Sequence, residues 1–155
     1  MGKGMRVKVA IEASGIGVKA VGVGAKRKRA SRPSRKDQGR VSERWQRAAR
    51  KELEAYFARR LRSFATPCDL RGLTPFTRAV LRITAKIPYG ELRSYRWVAR
   101  RLGRPRATRA VGNALARNPI PIMIPCHRVV RSDGSLGGYA LGLGWKRRLL
   151  DLESF

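Results

Sequence analysis

Apolar residues alternate with polar ones or run together from Met5 to Glu12 and again from Ile16 to Val23, on either side of Ala13-Ser14-Gly15. Such patterning around a glycine-containing turn predicts a β-hairpin. Farther along, the period lengthens. From Ser42, a candidate N-cap, apolar side chains recur at Trp45, Ala49, Leu53, Tyr56, Leu61 and Phe64, the spacing of one buried face of an amphipathic helix. Thr74-Pro75 supplies a cap and a first-turn proline for a second helix with Phe76, Val80, Ile83 and Ile87 inward, ended by Pro88-Tyr89-Gly90. Ser94 caps a short helix through Leu102, Gly103 turns the chain, and Pro105 opens another helix to about Arg117. Helix, short glycine turn and helix form a helix-turn-helix signature.

The segment Ile120 to Val130 carries three prolines at positions 119, 121 and 125 with its approach, and proline cannot donate to a sheet ladder. It reads as a rigid, buried, extended platform for a side chain, not as a central strand. Asp133-Gly134 predicts a hairpin turn and Gly137-Gly138-Tyr139 a tight loop, with Trp145, Leu149 and Leu152 on the inner face of a last helix. The expected fold class is α/β. A small N-terminal α/β subdomain of hairpin plus helix, residues 1–70 with a basic loop at 26–40, packs on a mainly helical C-terminal domain, residues 71–155.

Composition narrows the function. With 155 residues and 43% apolar content the chain is long enough to bury a core. No run of 18 apolar residues occurs, so neither a membrane span nor a secretory leader is expected, and the protein reads as soluble and intracellular. Thirty-six Lys plus Arg against ten Asp plus Glu give a net charge of +26. An excess this lopsided points to a polyanionic partner, and nucleic acid fits best because cationic contacts to phosphates release counterions. The Ser/Pro/Gly-containing segment Lys26 to Arg40 lacks apolar periodicity and reads as a loop or linker, which could touch phosphates.

Gly15-Ile16-Gly17-Val18-Lys19-Ala20 matches a GxGxxA dinucleotide fingerprint, but that motif needs a following helix and the chain here alternates like a strand. It reads as a turn. Two cysteines, Cys68 and Cys126, are expected as free thiols in a reducing compartment. Zinc takes about four ligands. With only these two and the single His127 present, no metal is expected. The helix from Arg106 through Leu115 is rich in alanine and glycine. That composition suits close core packing, or a slim surface that enters a DNA groove with Arg109 projecting.

Cysteine is a nucleophile as the thiolate, and neighbours set how readily it forms. His127 follows Cys126 directly, yet adjacent side chains of an extended chain point to opposite faces, so contact needs a turned backbone or a bridging water. Taken alone, the Cys-His pair fits a structural cysteine at least as well as a reactive one.

Its surroundings add a resemblance. Ile-Pro-Cys-His-Arg-Val-Val, preceded by Arg-Ala-Val-Gly-Asn-Ala-Leu-Ala-Arg-Asn-Pro and followed by Gly-Gly-Tyr and Lys146-Arg147-Arg148-Leu149-Leu150-Asp151-Leu152-Glu153, closely resembles the O6-alkylguanine-DNA alkyltransferase family. The resemblance runs from Thr74 to Glu153 and more weakly into the N-terminal part. It implies a suicide repair reaction in which the Cys126 thiolate takes the alkyl group from O6 of a damaged guanine, once per molecule and without a cofactor. It further implies that His127 activates Cys126 through a water and that Glu153 orients His127. Arg109 is implied as the finger that fills the space of the extruded guanine, and Tyr95 as the contact to the flipped nucleotide and its 3′ phosphate. Tyr139 and the Ala140 amide are implied around O6, with Pro121 and Val129 in the same pocket and the carbonyls of Cys126 and Val129 accepting from the guanine amino group. Asn118 is implied as the hinge between helix and cysteine segment, counted with the catalytic set. Arg106, Ala110, Ala114 and Arg128 are expected to contact DNA, through the minor groove of a duplex with a flipped base. A monomer is expected, cytoplasmic and nucleoid-associated, or nuclear in a eukaryote.

The chain departs from many relatives in carrying Thr77 and Leu81 where they have Gln and Trp, and its N-terminal part is short for the family. The rival reading is a DNA-binding protein without catalysis, either an alkyl-lesion sensor or a nucleoid component. Sensor relatives replace the reactive cysteine, usually with Trp; here Cys126 is present. A Cys-His hydrolase is a third reading, but it needs a base in direct reach and an oxyanion site, neither of which the sequence offers.

Overall fold

β1 (Val9–Ala13) and β2 (Val18–Val23) pair antiparallel in the computed structural model, which describes residues 7–24 and 39–154. Val9 lies opposite Val23 and Ile11 opposite Val21, with a register shift between Glu12 and Ala13. The expected hairpin forms, apart from Met5 and Arg6, which lie outside the described residues. Positions 26–38 of the expected basic loop do so too. The chain divides into two compact units, Met1–Gly72 and Leu73–Phe155.

In the first unit the Gly15–Ala20 motif is a turn followed by a strand. A Cβ on Gly17 would stand 2.5 Å from the Pro67 carbonyl oxygen, because the Val18 amide donates to that carbonyl at 2.9 Å. The glycine therefore serves a close backbone approach, not a phosphate. Helix α1 spans Arg40–Phe57 and packs on β1 and β2 through Ala49, Leu53 and Tyr56. Ser42 does not cap it. Gly39 is the N-cap, and the Ser42 hydroxyl donates to the Gly39 carbonyl at 2.8 Å from inside the first turn. Leu61 and Phe64 lie beyond the helix end, where Arg59 takes φ 60. Phe64 still reaches the core because the returning loop sets its ring 5.6 Å from that of Tyr56.

In the second unit, Thr74 caps α2 (Pro75–Thr84) by accepting from the Thr77 amide at 3.2 Å. The inner face of α2 is Thr77, Val80, Leu81 and Thr84. Phe76 and Ile83 are only half-buried, and Ile87 is buried in the turn after the helix. α3 (Tyr95–Arg101), capped by Ser94, and α4 (Thr108–Ala116) pack on α2 and on each other around Val98, Ala99, Val111 and Leu115. Burial of each larger apolar side chain contributes about 1.5–3 kcal/mol. Gly103, at φ +73, turns α3 into the connection to α4. Pro105 does not open α4, which starts three residues later with Ala107 as an N-cap that lends no side chain.

The strand pair β3 (Arg93–Ser94) and β4 (Val129–Val130) runs parallel, and α5 (Leu143–Glu153) packs against the turn just before β4. The buried face of α5 is Lys146, Leu149, Leu152 and Glu153, whereas Trp145 is half-exposed beneath the Arg148 guanidinium. Among the described residues no helix is long and apolar enough to cross a membrane.

Candidate active site

The segment after α4 is not extended throughout. Asn118, fully buried, accepts from the Ile120 amide at 2.9 Å and donates to the Ile124 carbonyl at 3.1 Å, closing the intervening residues into a loop. Within that loop Ile122 takes φ 77, a conformation that costs a β-branched residue about 1–3 kcal/mol and persists only where its surroundings hold it. The chain then forms a 3₁₀ turn, Cys126–Arg128, after Pro125. Because the backbone turns, Cys126 and His127 are released from the opposite-face geometry of a strand.

Cys126 is 4% exposed, and the Asn118 amide nitrogen lies 3.2 Å from its sulfur as a donor. A donor in that position favours the thiolate over the thiol. His127 is fully buried, with Nε2 2.7 Å from Glu153 Oε1. Beside a carboxylate, Nε2 carries the proton and donates, which leaves Nδ1 as the acceptor. Nδ1 is itself buried and meets no partner among the described residues. Burial pushes the imidazole pKa down; the hydrogen bond and charge of Glu153 oppose this, and the charges of Arg128 and Lys146 reinforce it. The ring is thus held neutral at pH 7, a base with a free lone pair.

Arg128 is 5% exposed and so does not lie on a DNA-facing surface, as the sequence had led us to expect. Its Nε and Nη2 donate to the two Glu153 oxygens at 2.9 and 2.7 Å, and Nη1 donates to the Ile87 carbonyl at 2.7 Å. A buried guanidinium needs such partners. It neutralises the carboxylate that holds His127.

A cavity of about 590 Å³ opens beside Cys126, within the size range of small-ligand sites. Tyr95, Arg109, Cys126, Tyr139 and Ala140, expected in separate catalytic, DNA-contacting and pocket roles, all line it. Val129 and Pro121 do not. Both are buried: Pro121 bridges to Ile124 in the loop, and the Val129 carbonyl accepts from Lys146 at 2.8 Å. Tyr95 seats the loop opposite: its hydroxyl donates to the Gly138 carbonyl at 3.4 Å, and a Cβ on Gly137, at φ +68, would stand 2.7 Å from that hydroxyl.

Arg109, Gly112, Asn113 and Ala116 line the same cavity, the i, i+3, i+4, i+7 face of α4. Only Arg109 was anticipated, though the spacing was there to find the others. Ala110 and Arg106 are exposed as expected, but Ala114 is 4% exposed and faces the core. Arg131 and Ser132, also on the cavity, had no local signal. Around this opening the charge is one-sided. Ten arginines and no carboxylate occur between Glu91 and Asp133, and Arg96, Arg100, Arg101, Arg104, Arg106 and Arg109 are exposed on the helix pair and its turn.

The family model for the DNA-binding domain of 6-O-methylguanine DNA methyltransferase matches residues 75–155. A methylated-DNA–protein-cysteine methyltransferase of Methanosarcina barkeri is 52% identical over 107 residues, 69% of this chain and 67% of that protein. The protein of the same name from Mycobacterium tuberculosis is 50% identical over 102 residues, 66% of this chain and 61% of its own length. Among solved structures, Mycobacterium tuberculosis OGT in complex with DNA superposes with a TM-score of 0.78 at 36% identity, covering 94% of this chain and 85% of that one. The O6-methylguanine-DNA methyltransferase of Pyrococcus kodakaraensis shares the fold, with a TM-score of 0.66 at 24% identity over 100% of this chain and 96% of that one.

Proposed function

Since the chain belongs to the methylated-DNA–protein-cysteine methyltransferase family, we propose that it is a single-use DNA repair protein that moves the alkyl group of O6-alkylguanine onto Cys126. The observation that carries this reading is the convergence of Cys126, Arg109 and Tyr139 on one cavity beneath an arginine-studded helix pair. A damaged base swung out of duplex DNA enters that cavity. The sulfur attacks the alkyl carbon, the carbon–sulfur bond forms as the carbon–O6 bond breaks, and guanine departs. The thioether is not reversed, so each molecule acts once.

The thiol proton passes through one bridging water to His127 Nδ1, a path supported by the buried lone pair and the 2.7 Å bond to Glu153. Asn118 steadies the sulfur as charge develops on it. Tyr139 and the Ala140 amide serve the leaving O6. The proton the thiol gives up is returned to guanine, which leaves neutral. This division of labour needs no cofactor. Duplex DNA is the partner, approached by α3 and α4 through the minor groove. The protein works wherever the chromosome lies, the cytoplasm or, in a eukaryote, the nucleus.

Two expected results test the DNA half of this reading. Binding to undamaged duplex, followed by fluorescence anisotropy, weakens with salt along a log-log slope of about −4 to −5, as four to six phosphate contacts require. A flat response contradicts an arginine-based interface. Arg109→Ala slows repair of a lesion in duplex far more than attack on free O6-benzylguanine, because only the duplex lesion must be extruded, at a cost of about a few kcal/mol. Equal slowing on both substrates assigns Arg109 to the fold or the chemistry instead. The chemical half is tested by following a radiolabelled methyl group from DNA to protein. Label that stays on the DNA overturns the proposal.

A further inference from the structure

Lys146 has no exposed surface, and among the described residues its ammonium pairs with no carboxylate. It donates instead to three backbone carbonyls, those of Val129 at 2.8 Å, Gly138 at 3.1 Å and Leu136. Three donors meet three acceptors, so the group is satisfied without a counter-ion. Burying a cation this way is unfavourable compared with an apolar side chain of similar volume, so its position calls for a role beyond filling the core.

The three carbonyls come from two places. Val129 follows the thiol-bearing turn directly, while Leu136 and Gly138 belong to the irregular loop that carries the cavity-lining Tyr139 and Ala140. That loop forms no strand, and within it the Tyr139 carbonyl accepts from the Gly142 amide at 3.0 Å. The Gly138 carbonyl also accepts from Tyr95, whose ring centroid lies 5.8 Å from the ammonium. One side chain on α5 therefore ties the strand that follows the Cys126 turn to the loop bearing Tyr139 and Ala140. Burial also holds the ammonium pKa down to about 8, against the pull of Cys126 and with the push of Arg131.

We propose that Lys146 is a positioning residue that buckles the Leu136–Ala140 wall of the alkyl pocket to the Cys126 turn and so sets the distance between the nucleophile and the base it attacks. The inference rests on the proposed alkyl transfer. It places Lys146 outside the reacting atoms.

The test compares two electrophiles on Lys146→Met, which keeps the stem and removes the ammonium. Transfer from O6-methylguanine in duplex, at saturating DNA, falls by about 10²-fold, the scale of a misplacement near 1 Å. Carboxamidomethylation of Cys126 by iodoacetamide, which needs the thiolate but not the wall, slows far less, by no more than the ammonium's charge lends to the thiolate. Equal loss in both reactions overturns the proposal by assigning Lys146 to thiol ionisation, and unchanged repair overturns it outright. A second measurement on the unsubstituted protein covers a variant that does not fold. A buckled Lys146 gives an ammonium ¹⁵N resonance whose protons exchange slowly, and exchange as fast as that of surface lysines overturns the proposal. If the unsubstituted protein takes no methyl from DNA, the functional reading fails, while the ammonium resonance still decides the buckle.

Discussion

Cys126→Ala transfers no alkyl group and binds DNA as the parent does. In the proposed reaction the sulfur is the bond-forming atom, so its loss removes the reaction and does not merely slow it. Cys68 offers no substitute: burial first, and then the charge of Glu52, push its thiol up to about 12, so it stays protonated at neutral pH. Cys68→Ala accordingly retains full transfer. DNA affinity survives both substitutions because the proposed interface is made of the exposed arginines of α3, α4 and their connection, and Cys126 is 4% exposed at the cavity. Transfer of label and anisotropy on the same preparations separate the two properties. Label on Cys126→Ala at the parent rate places the nucleophile elsewhere.

His127→Ala and Glu153→Gln each cut the transfer rate by about 10²-fold or more, the usual range for acid–base groups. The pair together loses less than the product, since both serve one proton path. The two singles differ in stability. Glu153→Gln leaves the buried Arg128 guanidinium without its carboxylate, which destabilises by about 3–5 kcal/mol. Its rate must be measured well below its melting temperature. His127→Ala spares that ion pair and is the cleaner probe.

The relay also has a pH signature. His127 in the folded chain has a lowered pKa, whereas the unfolded imidazole takes up its proton near ~6.5. Below that pH the unfolded chain binds more protons, so stability falls with falling pH until the folded imidazole also titrates. Transfer falls in the same direction, because a protonated Nδ1 no longer accepts. In His127→Ala both acid limbs flatten. Single variants that fold and transfer at the parent rate to free O6-benzylguanine remove the relay from the account.

Features set by neighbours in sequence were legible. Thr74 and Ser94 cap α2 and α3 as their chemistry predicts, and Gly103 turns where a positive φ was needed. α4 was read to start too early because its first turn carries no side-chain cap, so Pro105 stood in as a false signal. Cys126, His127 and Glu153 were grouped by resemblance to a family, and Nε2 of His127 does meet Glu153 across 26 positions. Arg128 was expected at the DNA and Lys146 was given no role, for a single reason. In a chain of net charge +26 a cation reads as surface, and only the tertiary fold brings Glu153 to one and three carbonyls to the other. Val129 and Pro121 were placed in the pocket by resemblance, but the loop closed by Asn118 and the turn after Pro125 set both away from the cavity lining.

One measurement bears most directly on alkyl transfer to Cys126. The protein is incubated with an excess of duplex DNA carrying O6-methylguanine, and its intact mass and peptides are then analysed. The account predicts a gain of one methyl in place of hydrogen per molecule, confined to the peptide bearing Cys126, with the amount of repaired guanine equal to the amount of protein. Repaired guanine in excess of protein, or a methyl group on any other residue, contradicts it.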